Sequence, residues 1–208
     1  MKKTIFLILS IASFSLNFPA QTKIQPQPPK PAEIPDEEYR IWSRIWCGGS
    51  DSLKVIRDFS GSTKIISDSR KNIGSESGFA SSDYLKKMMP GVTDELINDF
   101  NAKNGKSYKL ERKFDGCKNY VLISRSELAS IFSVEPGLDE AWKRFYIKYP
   151  GSGGHLEFCR TGLSRDKKQA LIFHSYVCGS LCSSGDFFLF VKAGDEWIEK
   201  ATVNLWIS

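Results

Sequence analysis

Two cysteines four positions apart follow a histidine in HSYVCGSLCSSGDFF, residues 174–188, just ahead of an aromatic run that reads as a strand. The chain holds two histidines, His155 and His174, and three of its five cysteines, Cys159, Cys178 and Cys182, fall in the same region. These residue types can do three things. A cysteine within hydrogen-bond reach of a histidine is a nucleophile, with Glu157 available to orient the imidazole. Two histidines and two thiolates converging at about 2.0–2.3 Å form an allowed zinc set. Two cysteines by themselves close a disulfide.

Which of these applies depends on the strands that carry the residues. Residues 155–163 and 169–178 are both strand-like, and Arg165–Lys168 is a connection of hairpin length. A turn centred between Asp166 and Lys167 sets His155 opposite Cys178 and Cys159 opposite His174. Side chains alternate along a strand, so these four then share one face with Glu157, Thr161 and Tyr176. Leu156, Phe158, Leu171, Phe173 and Val177 are left for the core. The candidate metal ligands are therefore His155, Cys159, His174 and Cys178, and an enzyme or a zinc-binding protein would use this face. No residue can be named as catalytic, and no cofactor is expected.

The compartment weights the choice. MKKTIFLILSIASFSLNFPA opens with Lys2 and Lys3, continues with an apolar run from Ile5 to Phe18 and ends on a small residue, Ala20. That is the pattern of a signal peptide over residues 1–20. The apolar run is shorter than the roughly 20 residues of a membrane span. An exported protein, periplasmic or extracellular, keeps its disulfides. Cys178 and Cys182 are then expected to pair, since a three-residue gap in a connecting loop can bring their Cα atoms to about 5–6 Å. Cys47 and Cys117 each sit beside a glycine at an element end and are the second expected pair, leaving Cys159 over.

The rest of the chain supplies the frame. Residues 21–35, QTKIQPQPPKPAEIP, read as an extended proline-rich linker. Residues 36–208 read as a single domain. Its first helix, DEEYRIWSRIW, sets Tyr39, Trp42 and Trp46 at helical spacing behind a run of acids. A strand at Leu53–Phe59 and a serine- and glycine-rich stretch from Gly61 to Ser82 come next. Helices are expected after Thr93, after the capping box Ser124–Glu127 and after Pro136-Gly137. Two short strands are expected at Tyr108–Phe114 and Tyr120–Ile123. From His155 onward four strands, 155–163, 169–178, 186–192 and 196–207, read as an antiparallel meander. The fold class is α+β, with helices of the N-terminal half packed on one face of a C-terminal four-stranded antiparallel meander.

Composition narrows the function classes. The net charge of +5 falls to +3 without residues 1–20, which carry two lysines and no acid. Acids and bases are interspersed, with no cluster of lysine and arginine among aromatics, so nucleic acid is not expected as a partner. No second apolar stretch approaches the length of a span. No glycine-rich phosphate loop, paired-histidine protease helix or nucleophile elbow is present; CGGSDS follows a helix rather than a strand.

LINDFNAKNGKSYKLERKF, YVLISRSELASIF, WKRFYIKYPGSGGHLEFCRTGLSRDKKQALIF, VCGSLCSSGDFFLFVKAGDEW and the terminal LWIS resemble a family of small exported bacterial proteins, many of them lipoproteins, with no established activity. The resemblance covers most of the chain after residue 20. It implies paired cysteines between the second and third strands of the meander. Cys159 stands where that family usually has serine, which argues against an essential nucleophile. The overall expectation is a disulfide-stapled binding or interaction module at the cell envelope or outside the cell, its partner an unidentified protein or envelope ligand. Alternatives are an enzyme or zinc-binding protein using the His155/Cys159/His174/Cys178 face, and an immunity or inhibitor protein.

Overall fold

Eleven residues behind Pro35 form the first helix, α1 (Asp36–Trp46), with Asp36, Glu37 and Glu38 in its first turn. Those acids lie at the positive end of the helix dipole. Tyr39, Ile41 and Trp42 are fully buried along its inner side. The computed structural model describes residues 33–47, 52–61, 65–66, 80–133 and 137–208. The expected signal peptide, nearly all of the expected proline-rich linker and most of the serine- and glycine-rich stretch lie outside the described residues.

The described elements continue with β1 (Leu53–Arg57), the two-residue strands β2 (Ile65–Ile66) and β3 (Ala80–Ser81), α2 (Ser82–Met88) and α3 (Asp94–Lys103). Then come β4 (Tyr120–Ile123), α4 (Arg125–Phe132) and α5 (Leu138–Lys148). The chain ends in β5 (Ser152–Phe158), β6 (Gly162–Leu163), β7 (Gln169–Gly179), β8 (Cys182–Ala193) and β9 (Glu196–Ile207). Two helix starts are capped as their sequences demand. Thr93 Oγ1 accepts from Leu96 N–H at 3.3 Å, and Ser124 Oγ accepts from Glu127 N–H at 3.1 Å.

The fold is α+β, but its sheet is larger than a four-stranded meander and it is mixed. Seven strands run in the order β4-β1-β5-β7-β8-β9, with β6 also paired to β7. β7, β8 and β9 form the antiparallel meander, whereas β1 is parallel to both β4 and β5. The difference has a physical cause. β1 and β4 are four to five residues long, so they show too little alternation for their partners to be read from the sequence. Helices also cover both faces of the sheet, not one. α1 packs over Leu156, Phe158, Ala170 and Ile172. On the other face, α2 and α3 cover Leu171, Phe173, Phe187 and Leu189, and α4 and α5 cover Val55, Ile123 and Val177.

Two further expectations change. Tyr108–Phe114 is irregular apart from one bridge between Lys109 and Phe59, although Leu110 and Phe114 are buried beneath α1. α2 begins where the serine-rich stretch was expected to end, with Leu85 and Met89 buried against α3 and the sheet.

Candidate ligand-binding cleft

The register of the first hairpin decides which side chains can meet. Near the turn, Gly162 faces Leu171 and Leu163 faces Ala170, the pairing expected from a turn centred between Asp166 and Lys167. Further along, Phe158 faces His174 and His155 faces Val177, one residue out of that register. The extra residue is absorbed in Cys159–Thr161, a bulge between β5 and β6. Backbone groups released there are satisfied by side chains. Arg160 N–H donates to Asn104 Oδ1 at 2.8 Å, Asn104 Nδ2 donates to the Arg160 carbonyl at 2.8 Å, and Thr161 N–H donates to Glu38 Oε2 at 2.8 Å.

A slip of one residue exchanges faces. His155, Glu157 and Val177 therefore point toward α4 and α5, while His174 lies on the α1 side between the rings of Trp46 and Phe188. The shared face expected for His155, Cys159, His174 and Cys178 is not formed. Cys159 is 1% exposed and packs in the cluster beneath α2 and α3. Cys178 is bonded to Cys182, with Cα atoms 5.0 Å apart, and Cys47 is bonded to Cys117, with Cα atoms 4.6 Å apart. Among the described residues no group of three or more histidine, cysteine, aspartate or glutamate side chains could hold a metal ion. Both histidines are held neutral. Burial, reinforced by the charge of Arg57, pushes His155 down to about 3; burial pushes His174 down to about 4, against the opposing pull of Asp186.

What the bulge builds instead is the floor of a cleft of about 710 Å³. Arg57, His155, Glu157 and Val177 come from neighbouring strands and line it from below. Arg125, Leu128, Ala129 and Phe132 of α4 form one wall, with Leu138 and Trp142 of α5 beside them. Phe59, Gly61 and Ser107 close the opposite side. Gly179, Ser180 and Ser183 form the rim, so the disulfide-bonded turn between β7 and β8 borders the cleft directly. A volume of this size is typical of small-ligand sites, which are mostly apolar with a few fixed polar groups.

The rim is tied down at three places. Ser180 Oγ donates to Asp139 Oδ1 at 2.5 Å, linking the turn to the first residues of α5. Tyr146 on the same helix donates to the Cys178 carbonyl at 2.7 Å. The Cys178–Cys182 bond closes the turn on itself. The disulfide is thus one part of a fixture that holds the cleft edge against α5.

Electrostatics on the floor are set by an ion pair and a second arginine. Arg57 Nη1 donates to Glu157 Oε2 at 2.6 Å. Burial pushes the Glu157 carboxyl above its usual range, opposed by the charges of Arg57 and Arg125. Arg125 is the first residue of α4, where the positive end of the helix dipole adds to its own charge. Its guanidinium lies 4.3 Å from the centre of the Phe59 ring. His155 stacks on Trp142 at 5.8 Å with the rings nearly parallel. The arginines carry no motif; Arg125 sits inside the Ser124–Glu127 capping box and Arg57 at the end of a strand. Only the parallel pairing of β1 with β4 and β5 brings them together.

In comparisons with known proteins, no family model, no curated protein and no solved structure matches this chain. No helix among the described residues is long and apolar enough to cross a membrane.

Proposed function

We propose that this is an exported, non-catalytic binding module whose ligand occupies the cleft between α4, α5 and the disulfide-bonded β7–β8 turn. One observation carries the reading: the Cys178–Cys182 turn contributes Gly179, Ser180 and Ser183 to the cleft lining and is fastened to α5 by Ser180–Asp139 and Tyr146–Cys178. A fixed rim reduces the ordering cost of binding, which is what preorganised sites achieve. Two disulfides fit a protein that functions in an oxidising compartment. Residues 1–20 as a signal peptide, a periplasmic or extracellular location and membership in the family of small exported bacterial proteins belong to the same proposal and rest on the sequence motifs.

The test is to fill the cleft. Ala129 is exposed on α4 and lines it, so Ala129→Trp occupies the space without disturbing a buried position. Ligands recovered from a thermal-shift screen of small molecules against the native protein should lose at least tenfold in affinity for the variant, with its melting temperature otherwise unchanged. Ligands that bind both proteins equally would place the binding surface elsewhere.

A further inference from the structure

We propose that the cleft takes an apolar monocarboxylate, with the carboxylate at Arg57 and Arg125 and the apolar part against Leu128, Phe132 and Trp142. The inference rests on the cleft being the binding site. Among the described residues that line it, the charged groups are Arg57, Arg125 and Glu157. With Glu157 ionised, one positive charge is left over. That balance suits a single negative charge. A dianion such as a phosphate monoester would face Glu157, which already engages Arg57 at 2.6 Å. A cation would find its one carboxylate taken and two guanidinium groups beside it.

Two polar groups are left for a ligand to satisfy. Among the described residues, Arg57 Nε is buried and has no hydrogen-bond partner, and neither does Nδ1 of His155, a side chain on the floor that is only 3% exposed. Among the described residues, the hydrogen bond of the Arg125 side chain is to Ser107 Oγ at 3.5 Å, at the outer limit of such a bond. Its face rests on Phe59, which fixes the plane of the guanidinium while leaving its N–H groups available. A neutral, wholly apolar ligand would leave these groups unpaired and cover the exposed guanidinium of Arg125, a cost a carboxylate avoids. The α4 and α5 wall supplies the matching apolar surface.

The same chemistry is carried by a free aryl acid and by the hydrophobic C-terminal residue of a peptide. Calorimetric titration of the full exported chain with 4-phenylbutyrate, its neutral amide and acetyl-alanyl-phenylalanine tests the class and separates the sources. One or other carboxylate should bind at least about tenfold tighter than the amide, the worth of a charge-assisted pair. Arg125→Gln, at an exposed position, should remove that preference by weakening the acid and leaving the amide unchanged. Tighter phenylbutyrate indicates a free acid, tighter peptide a chain terminus, and either supports the class. Equal affinity of acid and amide, with both lost in Ala129→Trp, overturns the carboxylate and leaves the cleft standing. Tighter binding of phenyl phosphate than of phenylbutyrate, or no binding of either carboxylate at millimolar concentration, also overturns it. Binding that is insensitive to Ala129→Trp removes the cleft itself.

Discussion

The carboxylate of Glu38 grips the guanidinium of Arg160 through two contacts, 2.9 Å to Nε and 2.7 Å to Nη2, at the bulge between β5 and β6. Both side chains are buried, and Glu38 also accepts from Thr161 N–H. Removing one partner strands the other charge in the interior. Glu38→Ala should therefore destabilise by about 3–5 kcal/mol, read by chemical denaturation. A loss under 1 kcal/mol would mean the bulge holds its register without this pair.

The two disulfides should separate in their effects. Cys47–Cys117 spans 70 residues and Cys178–Cys182 spans four. Chain-entropy scaling gives about 4 kcal/mol for the first and about 2 kcal/mol for the second. Paired serine substitutions at 47 and 117 should lower the unfolding midpoint more. Those at 178 and 182 should accelerate amide exchange within 178–183 while leaving the sheet centre protected.

Stability should fall as pH drops from 7 to 5. His155 and His174 have folded values of about 3 and about 4 against 6.5 unfolded, so the unfolded chain binds more protons in that range. Their contribution is complete above 6.5 and is lost progressively below it, at up to about 1.4 kcal/mol per pH unit for each residue. Glu157, pushed upward by burial, acts in the opposite sense. Glutamine at position 174 should flatten the dependence of melting temperature on pH; an unchanged slope would contradict the assignment.

Gly61 leaves room for the floor. A Cβ there would lie 2.9 Å from Glu157 Oε1 and 3.0 Å from Cys159 Sγ. Gly61 N–H is also bonded to the Phe158 carbonyl at 2.9 Å, so the backbone cannot easily withdraw. Gly61→Ala should cost about 1–3 kcal/mol, the usual range for overpacking, and disturb the Arg57–Glu157 pair. Calorimetric unfolding checks the first effect and ligand titration the second.

The sequence makes the amphipathic helices legible because a wrong period would expose residues such as Trp42 or Phe145. Alternation within each strand is also readable: Leu156 with Phe158, and Leu171 with Phe173, do share faces. What the pattern cannot carry is the relation between the strands, since one extra residue at Cys159–Thr161 exchanges the faces and separates His155 from His174. The cause is a carboxylate 122 positions away in sequence from Arg160, together with Asn104 at the end of α3. Arg57 and Arg125 were invisible as a site for a related reason. Parallel pairing across helical connections brings them together, and no local signal announces it. The cysteines were the opposite case, because the short gap between Cys178 and Cys182 is itself a local signal for the bond they form.

On the function proposed, the disulfide-bonded turn and the α4–α5 wall form one binding cleft. Backbone amide spectra of the isotope-labelled protein, titrated with 4-phenylbutyrate, test it most directly. Shifts should concentrate at Arg57, Arg125, Phe132, Trp142, Gly179 and Ser180, and should disappear in Ala129→Trp. Shifts centred on the α1 face around His174 and Trp46, or no shifts at saturating ligand, would contradict the account.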